Sequence, residues 1–126
     1  MSRHCFALDL RDDEQAIAEY ERWHQASRIW PEVVASIRAA GIENMEIFRT
    51  GNRLLMVMDA GPAYDPQAKA AADATDPRIL QWEALMGSFQ QSLPWAEPGQ
   101  KWVPMKRIFS LADPTDEAPD EASGAA

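Results

Sequence analysis

Residues 43–59 read ENMEIFRTGNRLLMVMD, two extended runs on either side of Thr50-Gly51-Asn52. A Gly-Asn turn flanked by apolar and β-branched residues is a hairpin signal. Leu54 to Met58 is apolar at every position, which predicts a strand covered on both faces. Before the hairpin, Pro31 opens a helix with Val33, Val34, Ile37 and Ala40 on its apolar face, and Gly41 stops it. Pro31 also breaks a preceding helix over Glu14–Ala26, capped by Asp12 or Asp13, in which Ile17, Tyr20 and His24 share one stripe. Ahead of that helix, His4–Leu10 alternates as a two-faced strand, with His4, Phe6, Leu8 and Leu10 on one side. After the hairpin come a short helix around Ala68–Asp73 and a firmer one from Pro77 to about Ser92. A loop over 94–100 and a last strand from Trp102 to Phe109 follow, with Pro104 marking an edge or a bulge. Strand, helix, strand, strand, helix, strand is the ferredoxin-like split-βαβ order, so the expected class is α+β.

Such a sheet carries helices on one face only. Trp102, Met56, Met58 and the Phe6 or Cys5 side are expected to make the other face apolar, and a second copy packed sheet against sheet would bury it. A homodimer is therefore expected.

The chain has 126 residues, enough for one domain, with 46% hydrophobic and 25% charged residues, which excludes a fibrous or disordered protein. Twelve basic against twenty acidic side chains leave a net charge of −8, so neither nucleic acid nor an anionic membrane is an expected partner. Asp113, Asp116, Glu117, Asp120 and Glu121 fall in a terminal stretch without aromatic residues. The expected domain is 1–112 and the expected disordered tail is 113–126. A single cysteine, Cys5, rules out an internal disulfide. No apolar run approaches a membrane span and no signal-peptide pattern opens the sequence, so a cytoplasmic protein is expected.

Two His and one Cys at no familiar spacing make no metal set, and no glycine-rich phosphate loop is present; no metal and no cofactor are expected. Tyr20 and His24, four apart on one helical face, can bring two polar tips to the same ligand, and histidine is the side chain best suited to proton transfer near neutral pH. Trp82-Glu83 pairs an aromatic face, suited to the C–H surface of a sugar, with a carboxylate that can hold hydroxyls. Each residue also has a plain structural reading: core aromatics for Tyr20, Trp30 and Trp82, surface positions for His24 and Glu83. His4 is expected to be structural.

Phe6-Ala-Leu-Asp-Leu10, Tyr20-x-x-x-His24, Ile29-Trp30-Pro31-Glu32, Gly41-Ile42-x-Asn44 and Gln81-Trp82-Glu83-x-x-Met86 together resemble the L-rhamnose mutarotase family, over about Phe6–Leu111. The resemblance implies a dimeric α/β-barrel that interconverts sugar anomers without a cofactor. It implies His24 as proton donor, Tyr20 as a substrate contact and Trp82 in the sugar site. The chain departs from the family's rhamnose pattern in three places. Two extra residues separate His24 from Ile29, Met45 replaces a tyrosine, and Glu83 replaces a second tryptophan. Those changes point to another 6-deoxy-L-sugar, such as L-fucose, as an alternative to L-rhamnose. The acid is expected to be His24; its partner base is open between Tyr20, Glu83, Glu46 and a water. A monooxygenase or haem-degrading protein on the same barrel, and a non-catalytic binding module, are the rival readings.

Overall fold

The computed structural model describes residues 2–112; the acidic tail expected over 113–126 lies outside the described residues. Strand β1 (Ser2–Leu10) lies at the centre. It pairs antiparallel with β3 (Arg53–Ala60), from Ser2 opposite Ala60 to Asp9 opposite Arg53. The hairpin partner of β3 is β2 (Ile42–Thr50), with a register shift between Ile42 and Asn44. Gly51 turns that hairpin at φ 56°, a backbone angle that glycine reaches without strain. On the far edge of β1 sit two short strands, β4 (Gln90–Gln91) beside Leu10 and Asp9, and β5 (Val103–Pro104) beside Ala7 and Phe6. The order β2-β3-β1-β4, with β5 also on β1, is the α+β ferredoxin-like sheet that the sequence predicts.

The last strand differs from expectation. The predicted run over 102–109 contracts to Val103–Pro104, because Pro104 offers no N–H to the ladder. The Met105 N–H still reaches the Cys5 carbonyl at 2.8 Å, and beyond it Ile108 and Phe109 are exposed. Gln90–Gln91, expected inside a helix, supplies the other half of the edge.

Helix α1 (Glu14–Trp23) starts at Asp13, whose carboxylate accepts the Gln15 N–H. It stops at His24 rather than at Ala26, because the His24 ring bonds back to the Tyr20 carbonyl and the chain turns toward Trp30. Helix α2 (Pro31–Ala39) has its proline in the first turn. It ends before Gly41, at φ 90°, where a Cβ would come within 3.1 Å of the Tyr64 nitrogen. Helix α3 (Pro66–Ala74), capped by Asp65, is longer at both ends than the predicted 68–73. Helix α4 (Pro77–Gly87) is capped by Asp76, which accepts from the Arg78 and Ile79 N–H groups. It ends five residues before the predicted Ser92: the Phe89 carbonyl takes the Arg11 N–H at 2.9 Å, and Gln90 then joins β1.

Leu10 and Leu54 of the sheet meet Tyr20, Val33, Ile79, Trp82 and Met86 of α1, α2 and α4 in one core. This corrects one expectation. Phe6, Met56, Met58 and Trp102 do not form the second face; they lie on the helix side. Phe6 sits opposite Met56 and His4 opposite Met58, in phase with Leu8 and Leu10, so alternation sends all of them toward the helices. The other face carries Cys5, Leu55, Val57 and Val103, half-buried, and Phe48, which is 52% exposed. Near its edge the buried Asp9 carboxylate takes a two-pronged bond from Arg53, at 2.8 and 3.1 Å. The Arg53 guanidinium in turn lies 5.3 Å from the Trp95 ring centre, tying the 94–100 loop to this side. No helix among the described residues is long and apolar enough to cross a membrane.

Candidate active site

Between the sheet and the helices lies a cavity of about 290 Å³. Its floor is apolar: Phe6 of β1, Met45 and Ile47 of β2, Met56 and Met58 of β3. Alternation along paired strands puts these side chains on one face. The chemistry hangs from the helices.

Tyr20 lies in the last turn of α1 and His24 caps its end, their ring centres 4.4 Å apart. The His24 Nδ1–H donates to the Tyr20 carbonyl at 2.7 Å, which fixes the tautomer and leaves Nε2 for a ligand. Burial lowers the His24 pKa, more than the bond to the backbone raises it, so the ring is neutral at pH 7. Burial also pushes the Tyr20 phenol up to about 12; the Gln90 amide pulls it down and the Glu83 charge adds to the rise. Tyr20 therefore meets a ligand as a protonated hydroxyl.

Trp82 stands with its ring 5.6 Å from His24 and 5.2 Å from Trp30, edge-on to both. Trp30 is held in turn by the edge of Trp23 and by the Arg78 guanidinium, 3.5 Å from its ring centre. Arg78 bonds Glu32 at 3.3 Å and Gln81 at 3.2 Å. The Trp-Pro-Glu and Gln-Trp-Glu segments, distant in sequence, thus form one brace that sets the plane of Trp82.

Glu83 reaches the cavity from the next position of α4, half exposed, with Lys101 Nζ 3.9 Å from its Oε2. Tyr20, His24, Trp82 and Glu83, singled out from sequence, therefore line one cavity. Glu46 does not join them: it faces Val57 across the hairpin and belongs to the opposite side of the sheet. His4 is buried on β1 with Nε2 3.0 Å from the Ser2 hydroxyl, outside the cavity lining, as a structural histidine would be. Cys5 is half-buried on the second face, away from the site.

Lys101 and Gln90 line the cavity without having been picked out from sequence. Lys101 lies in a loop, next to Trp102, where nothing in the spacing marks it. Gln90 continues the helical pattern of α4 and gives no sign that the chain turns into a strand there. At the far end, Ser36 donates to Asp73 at 2.9 Å and Lys69 to the same carboxylate at 2.7 Å, joining α2 to α3. Among the described residues no three His, Cys, Asp or Glu side chains are grouped to hold a metal ion.

An aromatic wall, a histidine able to exchange a proton, a phenol that donates and a carboxylate beside an ammonium suit a small polyhydroxylated ring. Comparison with known proteins agrees. The family described as L-rhamnose mutarotase matches residues 3–111. An L-fucose mutarotase from Xanthomonas campestris is 58% identical over 113 residues, covering 90% of each chain. An L-rhamnose mutarotase from Acidiphilium cryptum is 33% identical, covering 88% of this chain and 99% of its own. The crystal structure of an L-rhamnose mutarotase from Formosa agariphila shares the fold at a TM-score of 0.64 and 18% identity, over 88% of this chain and 99% of that one. With the match running through β1, all four helices and the lining of the cavity, the chain belongs to the L-rhamnose mutarotase family.

Proposed function

We propose that the protein is a mutarotase that interconverts the α and β anomers of a 6-deoxy-L-sugar, with L-fucose preferred over L-rhamnose. The observation that carries this reading is the His24 ring, tethered through Nδ1, neutral, and set beside Trp82 and Tyr20 in one cavity. The preference for L-fucose is supported by the 58% identity to an L-fucose mutarotase, against 33% to an L-rhamnose mutarotase. Met45 and Glu83, which replace two aromatic contacts of the rhamnose pattern, agree with it.

Ring opening takes the proton from the anomeric hydroxyl and delivers one to the ring oxygen. A neutral His24 accepts the first at Nε2 and, as imidazolium, donates to the ring oxygen, both oxygens being attached to the same carbon. The C1–C2 bond rotates and the reverse transfers close the ring on the other face of the carbonyl. The proton-donor role thus follows a prior uptake, and each transfer is of the kind that contributes roughly 10²–10⁴-fold. Tyr20 donates to a sugar oxygen and Trp82 packs on the C–H face. Opening and closure are each carried by proton transfers and a bond rotation lies between them, so the scheme calls on no cofactor.

The assembly we infer is a homodimer, supported by the half-buried Cys5, Leu55, Val57 and Val103 and the exposed Phe48 on the helix-free face. Magnetisation-transfer NMR between the anomers of L-fucose, L-rhamnose and a panel of other sugars tests the function. Accelerated exchange, fastest with L-fucose, is expected; no acceleration with any sugar refutes the reading.

A further inference from the structure

The chain has two tyrosines, and both line the cavity: Tyr20, which donates to a sugar oxygen in the scheme above, and Tyr64, which has no part in it. Tyr64 sits in the turn between β3 and α3. Residues 62–63 and 65–68 around it are exposed, whereas Tyr64 is half-buried. Two fixtures hold its backbone. On one side the Gly61 N–H donates to the Gly41 carbonyl at 2.8 Å, and the Tyr64 N–H donates to the Gly61 carbonyl at 3.1 Å. On the other, the Asp65 carboxylate accepts the Gln67 N–H at 2.9 Å and starts α3. From this glycine clasp, at the entry to β2, the ring reaches toward β1, where its centre is 6.0 Å from that of His4. Met45, Met58 and His4 are paired in one row across β2, β3 and β1. The phenol therefore stands at the β1 end of that row, beside methionines that give a hydroxyl no strong partner. Partial burial, and after it the Asp65 charge, push the Tyr64 pKa above the ordinary 10, so the phenol is protonated at neutral pH. Among the described residues no hydrogen bond engages that hydroxyl.

We propose that Tyr64 is a specificity-determining residue whose hydroxyl hydrogen-bonds one ring hydroxyl of the bound sugar, at C2 or C4. The inference rests on the mutarotase reading above and deepens it. L-Fucose and L-rhamnose differ in configuration at C2 and C4 and at no other ring carbon, so a group that separates them reads one of those two. A phenol held by a glycine clasp suits that task. It can donate or accept, it turns about only two torsions, and its backbone is fixed before the sugar arrives, so little freedom is lost on binding. With the hydroxyl inverted, the half-buried phenol gives up water without gaining the bond, and the epimer is disfavoured for that reason. The flexible thioethers beside it cannot make that distinction.

The test compares wild type with Tyr64→Phe, which keeps the ring and removes only the hydroxyl. Both are run on L-rhamnose, L-fucose and the 2-, 3- and 4-monodeoxy derivatives of L-fucose, each exchange rate divided by the sugar's spontaneous rate. Tyr64→Phe should raise the KM for L-fucose about tenfold with little change in kcat, and should melt within error of wild type. Either the 2-deoxy or the 4-deoxy sugar should lose a similar factor on wild type and nothing further on the variant. The 3-deoxy sugar should respond to Tyr64→Phe as L-fucose does, and the preference for L-fucose over L-rhamnose should shrink by the same factor. An unchanged KM and preference would overturn the inference, because the ring would then only pack. So would an equal loss on every sugar, which would mean that the hydroxyl acts through the fold, or a coupling to C3 instead of C2 or C4. Wild type inactive on every sugar would remove the mutarotase reading, and this inference with it, whereas an active wild type matched by Tyr64→Phe removes the inference alone.

Discussion

The carbonyl of Tyr20 gives His24 its direction. By accepting the Nδ1–H it holds the ring at the end of α1 and leaves Nε2 for a ligand. Replacing His24 by Ala should lower anomer exchange by roughly 10²-fold or more with the fold retained. In His4→Ala, the control, the melting temperature should fall while the rate stays near wild type, because His4 is buried behind the cavity lining rather than in it. Near wild-type exchange in His24→Ala would move the proton transfer to Glu83 and Tyr20. The pH profile supplies a second check. Burial lowers the His24 pKa below its usual 6.5, so the basic form prevails across neutral pH. The enzymatic rate, corrected for the spontaneous one, should be flat there and fall only as the solution is acidified below 6.5. A rate that instead drops on going from pH 6 to 8 would mean that the resting ring must carry the proton. Stability follows the same sign: the unfolded chain binds the proton more readily, so the contribution of His24 is whole above 6.5 and is lost as pH falls through the lowered folded value. Tyr20 and His24 were legible as a pair because helical spacing puts i and i+4 on one face, and Trp82-Glu83 as an aromatic beside a carboxylate; it was the resemblance to the family, not spacing, that raised them above their plain structural readings. Gln90 and Lys101 were not legible, since what brings them to the cavity is a helix end and a loop.

At the scale of elements, the starts of α1, α2 and α4 follow the sequence closely, α3 begins two residues before its expected start, and the ends that packing decides do not follow it. Asp13, Asp65 and Asp76 all accept backbone N–H groups as side-chain caps do, and Pro31, Pro66 and Pro77 follow in first turns. Asp76 matters most, because α4 carries both Trp82 and Glu83. Asp76→Ala should lower the unfolding free energy by about 1 kcal/mol, read from urea denaturation. A change within error would mean that the core holds this helix without its cap. The ends were hidden for a different reason. The residues from Ser88 to Ser92 continue a plausible helical pattern, and only the pairing of Leu10 with Gln90 stops it. Likewise the edge strand over 102–109 satisfies a strand pattern yet pairs at two positions, since Pro104 gives the ladder no donor.

For the whole molecule, the sheet order was readable from the succession of elements, but the side of the sheet on which the site lies was not. Leu54 to Met58 is apolar at all five positions, so alternation carries no phase; the phase comes from the partner strand, where Phe6 meets Met56. The helix-free face that remains is less apolar than the one expected, yet Phe48 and Trp95 are more than half exposed around it. Light scattering at micromolar concentration should give twice the chain mass for wild type and a single mass for Phe48→Glu combined with Val57→Glu. A monomeric wild type would exclude the dimer. The methionine floor has a last consequence. An opened sugar must swing its aldehyde through half a turn while the rest of the molecule stays anchored. A wall studded with donors would catch that carbonyl in one orientation and stall it. Met45, Met56 and Met58, flexible thioether chains that grip no polar atom, give the cavity instead a floor that yields to shape and holds no oxygen in place.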